Sequence, residues 1–488
     1  MTSTITYELP PTLDVSILNM RDIRRDNAKF RLDDGYFARL PVATQHLIDN
    51  LPHVSLGSIC STFRKGIFDI KASSYAQSGV PFLRIGNLRN GLIDPTGLAF
   101  ITPERHRQEA VTALRFGDIV LSKTAYAAAA LVTVPECNVS QDIIAVRLST
   151  TTTRRFWPGF VVAYLNSRYG CALLHRQFQG NVQAHLSLPD ARKIPVPLFS
   201  GPFQECVHDL LLEAHRLENS AESHELDARN AVPQAVGLER WTPPLAATYT
   251  KRWSTVQAAG RFDAEYFAPA AGASEIALQG AGALGFFVLA DLITTLTNGH
   301  TPLRHDLRTG EVPFLCAEHV SDFECNFASA KHIRLTQHTT ELARTALRSG
   351  DVLLSIKGRI GNVAIVEDLT GPVNINQDVA LLRLNNLLPK WWTVAFLNSF
   401  LGKLQIQQLS TGGINPFLGL ANVRKLRIPY FEAALMQLAA DGARVSVHAA
   451  RESRQNAERL LSASFRAVEI AIESGEAAGL LFAKSASR

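Results

Sequence analysis

The sequence predicts an α/β protein with two mixed α/β domains, joined by long antiparallel helices that are related by pseudo-twofold symmetry. The first observation is an internal duplication. Tyr164-Leu165-Asn166-Ser167 returns as Phe396-Leu397-Asn398-Ser399, and Val80-Pro81-Phe82-Leu83 returns as Val312-Pro313-Phe314-Leu315, each at an offset of 232 residues (396 − 164 and 312 − 80). Solenoid repeats span about 20–50 residues, so this period indicates a duplicated domain. The second observation is that each copy mixes strand and helix patterns and is followed by a long helical pattern.

Each copy contains a Gly-Asp turn signal before a short apolar run. The run 119–121 follows Gly117-Asp118, and the run 352–354 follows Gly350-Asp351, so both predict short strands. The apolar segments 143–148 and 379–384 predict further buried strands. Segments 160–174 and 391–404 predict helices, which the Asn-Ser pair in each should keep short.

A heptad pattern follows the first copy. Apolar or small residues recur at alternating steps of four and three, and they are Phe203, Val207, Leu210, Ala214, Leu217 and Ala221. This rhythm is typical of a helix with one packed seam, and Pro233 is its predicted end. From 203 to 231 such a helix would span roughly 43 Å. A second helix is predicted from about 431 to 473, with a less regular heptad over 446–456.

These patterns divide the chain into six segments. They are an N-terminal segment with an Arg-Leu-Asp-Asp-Gly-Tyr-Phe element (1–45), a first domain (46–200), a central spacer helix (201–233), a connector with a related Arg-Phe-Asp-Ala-Glu-Tyr-Phe element (234–285), a second domain (286–430) and a C-terminal spacer helix (431–488).

Composition narrows the class of protein. The 488 residues carry a net charge of +5, which permits an anionic partner without requiring one. The six cysteines form no CxxC pair, and this is typical of a protein from a reducing cytosol. No signal peptide pattern and no apolar run of about 18 residues is present, so we expect a cytoplasmic protein without a membrane span.

Motifs for catalysis are missing from the sequence. There is no HExxH, no paired CxxC and no GxxxxGK[ST] loop, so no metal site and no phosphate loop is predicted. Asn415-Pro416-Phe417 is similar to part of the Asn-Pro-Pro-Tyr/Phe loop of amino-methyltransferases, but one proline is missing. Ser122 and Ser355 have no histidine at a repeated position that could activate them. A duplicated unit without catalytic residues is typical of a binding protein.

Polar and basic residues in predicted turns are candidates for DNA binding. Arg and Lys pair with guanine in the major groove, and Asn and Gln pair with adenine. Exposed Gln and His residues at a helix end are equally compatible with a solvated surface. Segments 175–185 and 407–417 differ while their surroundings match, which predicts two different readers. The candidate DNA-binding residues are Lys65, Arg84, Asn87, Arg89, Lys123, Arg176, Gln177, Gln179, Asn181, Gln183, Arg304, His319, Lys357, Arg359, Gln405, Gln407, Gln408, Thr411 and Asn415.

The motifs of the second copy resemble those of a known family, the specificity (S) subunits of type I restriction-modification systems. In order they are Asn298-Gly299-His300-Thr301-Pro302, Val312 to Leu315, Gly350 to Ala364, Asn374-Ile375-Asn376-Gln377-Asp378, Ser410-Thr411-Gly412-Gly413 and Leu426-Arg427-Ile428-Pro429. The first copy departs from the family pattern, because Tyr126-Ala127-Ala128-Ala129 stands where the family has a glycine turn.

The resemblance implies a non-catalytic subunit with two target recognition domains, each docking in the major groove over one half of a bipartite target in double-stranded DNA. The spacer helices would fix the separation of the half-sites and dock two methyltransferase (modification) subunits. Those partners, and not this chain, would bind S-adenosylmethionine and methylate adenine N6, and a nuclease-translocase subunit could join. The helix residues expected at the partner docking faces are Val207, Leu210, Leu217, Leu438, Val445 and Leu461.

Three alternatives remain open at this point. The chain could serve another methylation-based phage-defence system, or it could be a self-contained DNA-modifying enzyme with a divergent site. It could also be a two-domain scaffold that binds a protein or a glycan. The target sequence cannot be deduced from the residues, because DNA shape adds to base contacts.

Overall fold

A computed structural model describes residues 20–24, 31, 33–150, 156–180, 184–244, 248–302, 310–413 and 415–487. The chain forms two compact units. Unit 1 comprises Met1–Asn219 with Ser453–Arg488, and unit 2 comprises Ser220–Glu452. Both units combine sheets with helices, so the predicted mixed α/β class is confirmed.

The secondary structure up to the first long helix is as follows. The helices are α1 (Met20–Arg24), α2 (Asp34–Phe37), α3 (Arg39–Asp49), α4 (Pro103–Gln108), α5 (Pro158–Asn166), α6 (Arg168–Gln177), α7 (Leu188–Arg192) and α8 (Gly201–Ala235). The strands are β1 (His53–Ser55), β2 (Cys60–Lys65), β3 (Tyr75–Ala76), β4 (Val80–Leu83), β5 (Ala99–Ile101), β6 (Leu114–Arg115), β7 (Ile119–Ser122), β8 (Ala129–Leu131), β9 (Glu136–Val139), β10 (Ile143–Leu148), β11 (Phe178–Gln179), β12 (His185–Leu186) and β13 (Pro195–Pro197).

The remainder of the chain repeats much of this order. The helices are α9 (Trp253–Ala259), α10 (Ala264–Phe267), α11 (Pro269–Gly280), α12 (Leu289–Leu292), α13 (Leu335–Thr339), α14 (Lys390–Asn398), α15 (Phe400–Leu409), α16 (Leu420–Val423), α17 (Ala433–Ser474) and α18 (Glu476–Ala486). The strands are β14 (Gly285–Val288), β15 (Ile293–Asn298), β16 (Val312–Leu315), β17 (Lys331–Ile333), β18 (Val352–Ser355), β19 (Val363–Ile365), β20 (Asn374–Ile375), β21 (Val379–Leu384) and β22 (Arg427–Tyr430). Short 3-10 turns lie at Leu56–Ile59, Ala72–Ser74, Ile85–Asn87, Ala110–Thr112, Ala317–His319 and Ala343–Thr345.

The duplication extends to the strand order. Unit 1 has a four-stranded antiparallel sheet in the order β2-β10-β7-β8, and unit 2 has the matching order β15-β21-β18-β19. A second sheet in each unit contains one parallel pair, β4 with β9 and β16 with β20. The strands predicted over 143–148 and 379–384 are the second strands of the two four-stranded sheets.

The repeated Gly-Asp pair has a structural task in both units. Gly117 and Gly350 have φ angles of 87° and 86°, which favour glycine. The buried Asp118 carboxylate accepts a hydrogen bond from Arg147 Nε (2.9 Å). In unit 2 the Asp351 carboxylate accepts the matching bond from Arg383 (3.0 Å). The motif therefore ties the start of β7 or β18 to the neighbouring strand.

The Leu-Asn-Ser element forms an elbow between two helices, so the single helices predicted over 160–174 and 391–404 are wrong. Asn398 Oδ1 accepts from Val363 N–H (3.1 Å) and its Nδ2 donates to Val363 C=O (2.7 Å), which anchors α14 to β19. Ser399 Oγ then caps α15 by accepting from Gly402 N–H (3.4 Å). Asn166 and Ser167 make the equivalent contacts in unit 1.

The two related elements that begin with Arg31 and Arg261 dock against helix C-termini. Arg31 donates to the carbonyl oxygens of Arg176 (3.0 Å) and Phe178 (2.7 Å), at the end of α6. Arg261 donates likewise to the carbonyls of Leu409 (3.3 Å) and Ser410 (2.8 Å), at the end of α15. A guanidinium at these carbonyls satisfies acceptors that a helix end leaves open. The connector predicted over 234–285 is correspondingly more ordered than expected, because it contains α9, α10 and α11.

The long helices differ from their predictions at three points. Helix α8 runs to Ala235, two residues past the predicted stop at Pro233, and the proline lacks the N–H that a helix residue donates to the carbonyl four residues earlier. The C-terminal segment is two helices, because Gly475 with φ 94° separates α17 from α18. One buried row of α17 continues at seven-residue steps through the segment predicted to be irregular, while the second heptad position there is Arg454; the row is Ala443, Ala450, Ala457, Ser464 and Ala471.

Helices α8 and α17 share the core of each unit. In unit 1, Val207 and Ala214 belong to the same buried cluster as Ala467 and Ala471. In unit 2, Ala228 shares a cluster with Ala443 and its neighbours. Residues near the start of α8 thus share a core with residues near the end of α17, and a residue near the end of α8 shares one with residues near the start of α17. This is expected for antiparallel helices. The predicted pseudo-twofold axis stays a prediction. Among the described residues, no helix is both long and apolar enough to cross a membrane.

Candidate nucleic-acid interface

One end of the four-stranded sheet in unit 1 gathers several residues predicted to contact DNA. Lys65 is the last residue of β2, and Lys123 follows the last residue of β7; both flank the start of β10. The Lys123 carbonyl accepts a hydrogen bond from Leu186 N–H (2.8 Å). The segment that follows α6 is therefore held at the same end of the sheet as the two lysines.

The corresponding end of the sheet in unit 2 has the same construction. Asn298 ends β15 and Ser355 ends β18, and both flank the start of β21. The Ile356 carbonyl accepts from Leu418 N–H (2.9 Å), which brings in the segment after α15. A groove with a volume of about 440 Å³ opens here, and it is lined by Ala317, Glu318, Lys357, Gly358, Arg359, Asp378, Asn415 and Pro416.

Two serine hydroxyls fix which positions of the turns correspond. Ser122 Oγ donates to the Tyr126 carbonyl, and Ser355 Oγ donates to the Arg359 carbonyl. Tyr126 and Arg359 thus occupy equivalent positions. The serines fold the turn after β7 and β18, a task that agrees with the absence of a repeated histidine beside them.

The two predicted lysines are not equivalent to each other. The carbonyl that receives the following segment belongs to Lys123 in unit 1 and to Ile356 in unit 2. Lys357 therefore corresponds to Thr124, which is the residue bridged to the segment after α6 in unit 1. The two units present different side chains from the same backbone frame.

The alanine turn of the first copy keeps the glycine geometry. Ala125 has a φ of 66°, close to the 75° of Gly358 at the matching position. An alanine in this region is strained, because its Cβ approaches the following carbonyl oxygen. The departure from the family pattern therefore adds backbone strain at Ala125, but the turn keeps the same backbone conformation.

The structure contradicts four of the predicted DNA contacts. Asn87 and His319 are buried, and each accepts a backbone hydrogen bond three residues upstream: from Arg84 N–H at 3.0 Å and from Cys316 N–H at 2.8 Å. They are matched structural residues of the two units. A buried side chain with its acceptor occupied cannot reach a base edge.

Arg176 and Gln405 are the other two corrections. Arg176 is buried and donates to the Tyr36 carbonyl (3.1 Å) and to Gln45 Oε1 (3.1 Å). Gln405 is buried and binds both the N–H (2.9 Å) and the C=O (3.0 Å) of Arg427. Both lie on helices whose pattern gave no sign of which face is buried.

The remaining candidates differ in accessibility. Exposed ones are Lys65, Lys357, Arg359, Gln407, Thr411 and Asn415, and partly buried ones are Lys123 and Gln177. Four are partly engaged: Arg84 with Gly97 C=O (2.8 Å), Arg89 with Asp94 (2.6 Å), Gln179 with Asp190 (2.9 Å) and Gln408 with Tyr266 C=O (2.8 Å). Asn181, Gln183 and Arg304 lie outside the described residues.

The predicted partner-docking residues fall into two groups. Val207 and Leu210 are buried in the core of unit 1, so the prediction that they dock a partner is wrong. Leu217 and Leu461 are partly buried against the same core. Leu438 and Val445 are 75% and 69% exposed on α17, seven residues apart, and remain available to a partner.

Sequence patterns did not single out three accessible residues at these sheet ends. Glu318 and Asp378 line the groove of unit 2. Phe68 is 67% exposed, and Lys65 Nζ lies 5.4 Å from the centre of its ring. The sequence signal for Asp378 is the repeated Gln-Asp pair before β10 and β21, but this pair also marks the start of a repeated strand and does not by itself indicate a binding residue.

One cluster has metal-ligand residue types. The ligand atoms of Cys316, Glu318 and His319 all lie within 4.8 Å of one another. However, His319 Nδ1 accepts the Cys316 N–H, so the proton of a neutral ring sits on Nε2, where a metal would need a lone pair. Burial also raises the pKa of the Cys316 thiol, which disfavours the thiolate. The cluster therefore fits a metal ion poorly.

Comparison with known proteins gives similarities at the level of solved structures. No protein-family model matches the chain, and no curated protein matches it. Type I specificity subunits are among the solved structures that it resembles. The S subunit of a type I restriction-modification system from M. genitalium is 12% identical, with 86% of this chain and 96% of that chain covered and a TM-score of 0.46.

A second specificity subunit, HsdS from Thermoanaerobacter tengcongensis, is 14% identical and has a TM-score of 0.26, with 87% of this chain and 96% of that chain covered. A chain from a structure on complex assembly and conformational transition of the type I R-M system is 14% identical, with coverages of 90% and 99% and a TM-score of 0.28.

Proposed function

We propose that this chain is the DNA specificity subunit of a type I restriction-modification complex, in which each unit reads one half of a bipartite target. The observation that carries the proposal is the matched pair of sheet ends. The same backbone frame, held by the same Gly-Asp, Leu-Asn-Ser and Arg-Asp contacts, presents different side chains in each unit. Identical frames with different readers suit a target with two different halves.

The charges at the sheet ends support a nucleic acid as the ligand. Lys357 and Arg359 are exposed and form no ion pair within the described residues, and Lys65 is exposed beside an aromatic ring. Exposed cations and amide side chains are the groups that contact phosphates and base edges. Asn415 supplies an amide in the groove of unit 2, and Gln407 is an exposed amide on α15.

The reaction would be performed by partner subunits. We propose that two methyltransferase subunits bind S-adenosylmethionine and transfer its methyl group to adenine N6 after the base leaves the duplex. This chain would position them and would itself remain non-catalytic, and a nuclease-translocase subunit could join the assembly. The exposed Leu438 and Val445 on α17 are candidates for one docking face.

Mapping of adenine methylation tests the proposal. Genomic DNA from cells with the intact gene should carry N6-methyladenine in a split, asymmetric motif, and cells without the gene should lose the mark at that motif alone. An unbroken palindrome would contradict two different readers. Methyl transfer by the purified chain without a partner would favour a self-contained enzyme instead.

A further inference from the structure

The groove of unit 2 has a charge pattern that unit 1 does not share. Its lining includes two cations, Lys357 and Arg359, and two carboxylates, Glu318 and Asp378. At the matching positions unit 1 has Thr124, Tyr126 and Gly86, which carry no charge; only the aspartate, as Asp142, is retained. Three of the four charged positions of this groove therefore lack a charge in unit 1.

The carboxylates are placed as acceptors at the groove. The Glu318 side chain is 60% exposed, and one of its oxygens lies 3.5 Å from Lys331 Nζ. Asp378 is held in place through Asn376, whose Nδ2 donates to Asp378 Oδ2 (2.9 Å) and whose Oδ1 accepts from Asp378 N–H (3.0 Å). The exposed Glu318 offers an acceptor in this groove, and Arg359, which has no ion pair among the described residues, offers donors there.

The cations are presented by a rigid turn. Gly358, with φ 75°, lies between them, and the Ser355 hydroxyl holds the Arg359 carbonyl. Lys357 is bridged to Phe417, which in turn makes two backbone hydrogen bonds with Thr411 (2.8 and 2.9 Å). Backbone held on both sides lets a side chain discriminate between bases, since little ordering is needed on binding.

A single base pair carries the complementary pattern. In the major groove guanine presents the acceptors O6 and N7, to which Arg binds with two hydrogen bonds, and cytosine presents the N4 amino donor, which a carboxylate accepts. A phosphate would be attracted by the two cations but repelled by Glu318 and Asp378. The mixture of charges therefore favours a base pair over the backbone as the ligand of this groove.

We propose that the groove of unit 2 recognises a G·C base pair, with Arg359 on the guanine and Glu318 on the cytosine N4 amino group. This inference rests on the proposed DNA-reading function and adds to it a base identity and the side chains that read it. Unit 1, with Tyr126 and Gly86 at these positions, would not select that pair through the same contacts.

Selection from a random duplex library tests the inference. The full chain, with any subunits that copurify with it, is incubated with 40-base-pair random DNA, and the bound sequences are read. We expect the wild type to enrich a split motif that contains a G·C pair in one half. Arg359→Tyr, which installs the unit 1 residue and removes both hydrogen bonds to the guanine, should lower the preference for that pair by about 5- to 150-fold. Glu318→Gln keeps the size and an oxygen that still accepts from the cytosine N4, so it should lower the preference less than Arg359→Tyr does.

Matched variants outside the groove serve as controls. Arg424→Tyr and Glu341→Gln make the same chemical changes at exposed positions of unit 2, and they should leave the motif unaltered. Retention of the other half-site in the groove variants shows that the protein is folded.

The possible failures are distinguishable. A wild-type chain that enriches no split motif would overturn the proposed function together with the inference. A split motif that the groove variants leave unchanged, with uniformly weaker binding, would mean phosphate contacts and would overturn the inference alone. Loss of preference at an A·T pair instead of a G·C pair would also overturn it.

Discussion

Individual residues at equivalent positions reveal where the two units tolerate strain. Ala125 adopts a φ of 66° where unit 2 has Gly358 at 75°. We predict that Ala125→Gly raises the free energy of unfolding by about 0.5–1 kcal/mol, because relief of the strained backbone exceeds the entropy that glycine gains in the unfolded chain. Thermal and urea unfolding of the full chain measure the change.

Gly358→Ala is the matched control for this prediction. A Cβ there meets no atom within 4 Å, so backbone strain alone should lower stability, by about 1 kcal/mol. A destabilising Ala125→Gly would contradict the account of the turn.

Residue-level predictions succeeded for the frame and failed for buried polar groups. The sequence reveals the repeated Gly-Asp and Leu-Asn-Ser motifs but not their hydrogen bonds, because a short motif does not indicate which backbone group it will bind. Asn87 and His319 were predicted to meet DNA, yet each serves a backbone N–H. Different residue types, Asn and His, perform the same task there, so comparison of the two copies concealed it.

Helix elbows depend on the close approach of two backbones. A Cβ on Gly402 would lie 2.3 Å from the Phe396 carbonyl oxygen and 2.7 Å from Leu397 Cα. We predict that Gly402→Ala destabilises the protein by about 1–3 kcal/mol, because backbone cannot give way as a flexible side chain can. Gly442→Ala, inside α17 with nothing within 4 Å, should instead stabilise it by roughly 1 kcal/mol.

Unfolding curves of Gly402→Ala and Gly442→Ala show whether helix propensity or the close backbone contact at the elbow determines the effect of each alanine. If both changes stabilised the protein equally, helix propensity alone would explain them and the elbow contact would be unimportant.

Docking of the two elements that begin with Arg31 and Arg261 should depend on pH. Hydrogen bonds from Arg31 and Arg261 lower the pKa of Asp33 and of Asp263 below the ordinary value. A lowered folded-state pKa means that this contribution is complete above the unfolded pKa of about 3.9 and is lost as the pH falls through the folded pKa. We predict a lower protection factor for amide exchange, relative to the unfolded chain at the same pH, at the end of α15 below about pH 4. In Asp263→Asn the exchange there should already be fast at pH 7, and equal protection in the two proteins would contradict the prediction.

The long helices show the limit of reading a heptad from large residues. One buried row of α17 consists of alanines and one serine at seven-residue steps and is flanked by buried Val447, Leu460 and Val468, whereas Leu438 and Val445 are exposed. Large apolar residues of α17 thus lie on both faces, and size alone does not tell the buried ones from the exposed ones. Two helices that meet through alanine pack closely, so small residues are the ones that the interior selects.

At the scale of the whole molecule, the described helices link two units that each carry a sheet end of the same construction. Helix α8 passes from unit 1 to unit 2 between Asn219 and Ser220, and α17 returns between Glu452 and Ser453. If the proposed function holds, the length of these helices sets the number of base pairs between the two half-sites. Seven residues add about 10.5 Å to a helix, which equals roughly three base pairs of DNA.

We therefore predict that insertion of one heptad into both helices at these two points lengthens the spacer of the methylated motif by about three base pairs. The heptad keeps the alanine seams in phase, so both half-sites should remain unchanged. Insertion into α8 alone leaves α17 too short to match, and it should destabilise the protein instead of shifting the motif. Methylation mapping in cells that express each variant provides the measurement. An unchanged spacer in a folded double-insertion variant would show that the helices do not determine the separation, and would leave base recognition by the two units untouched.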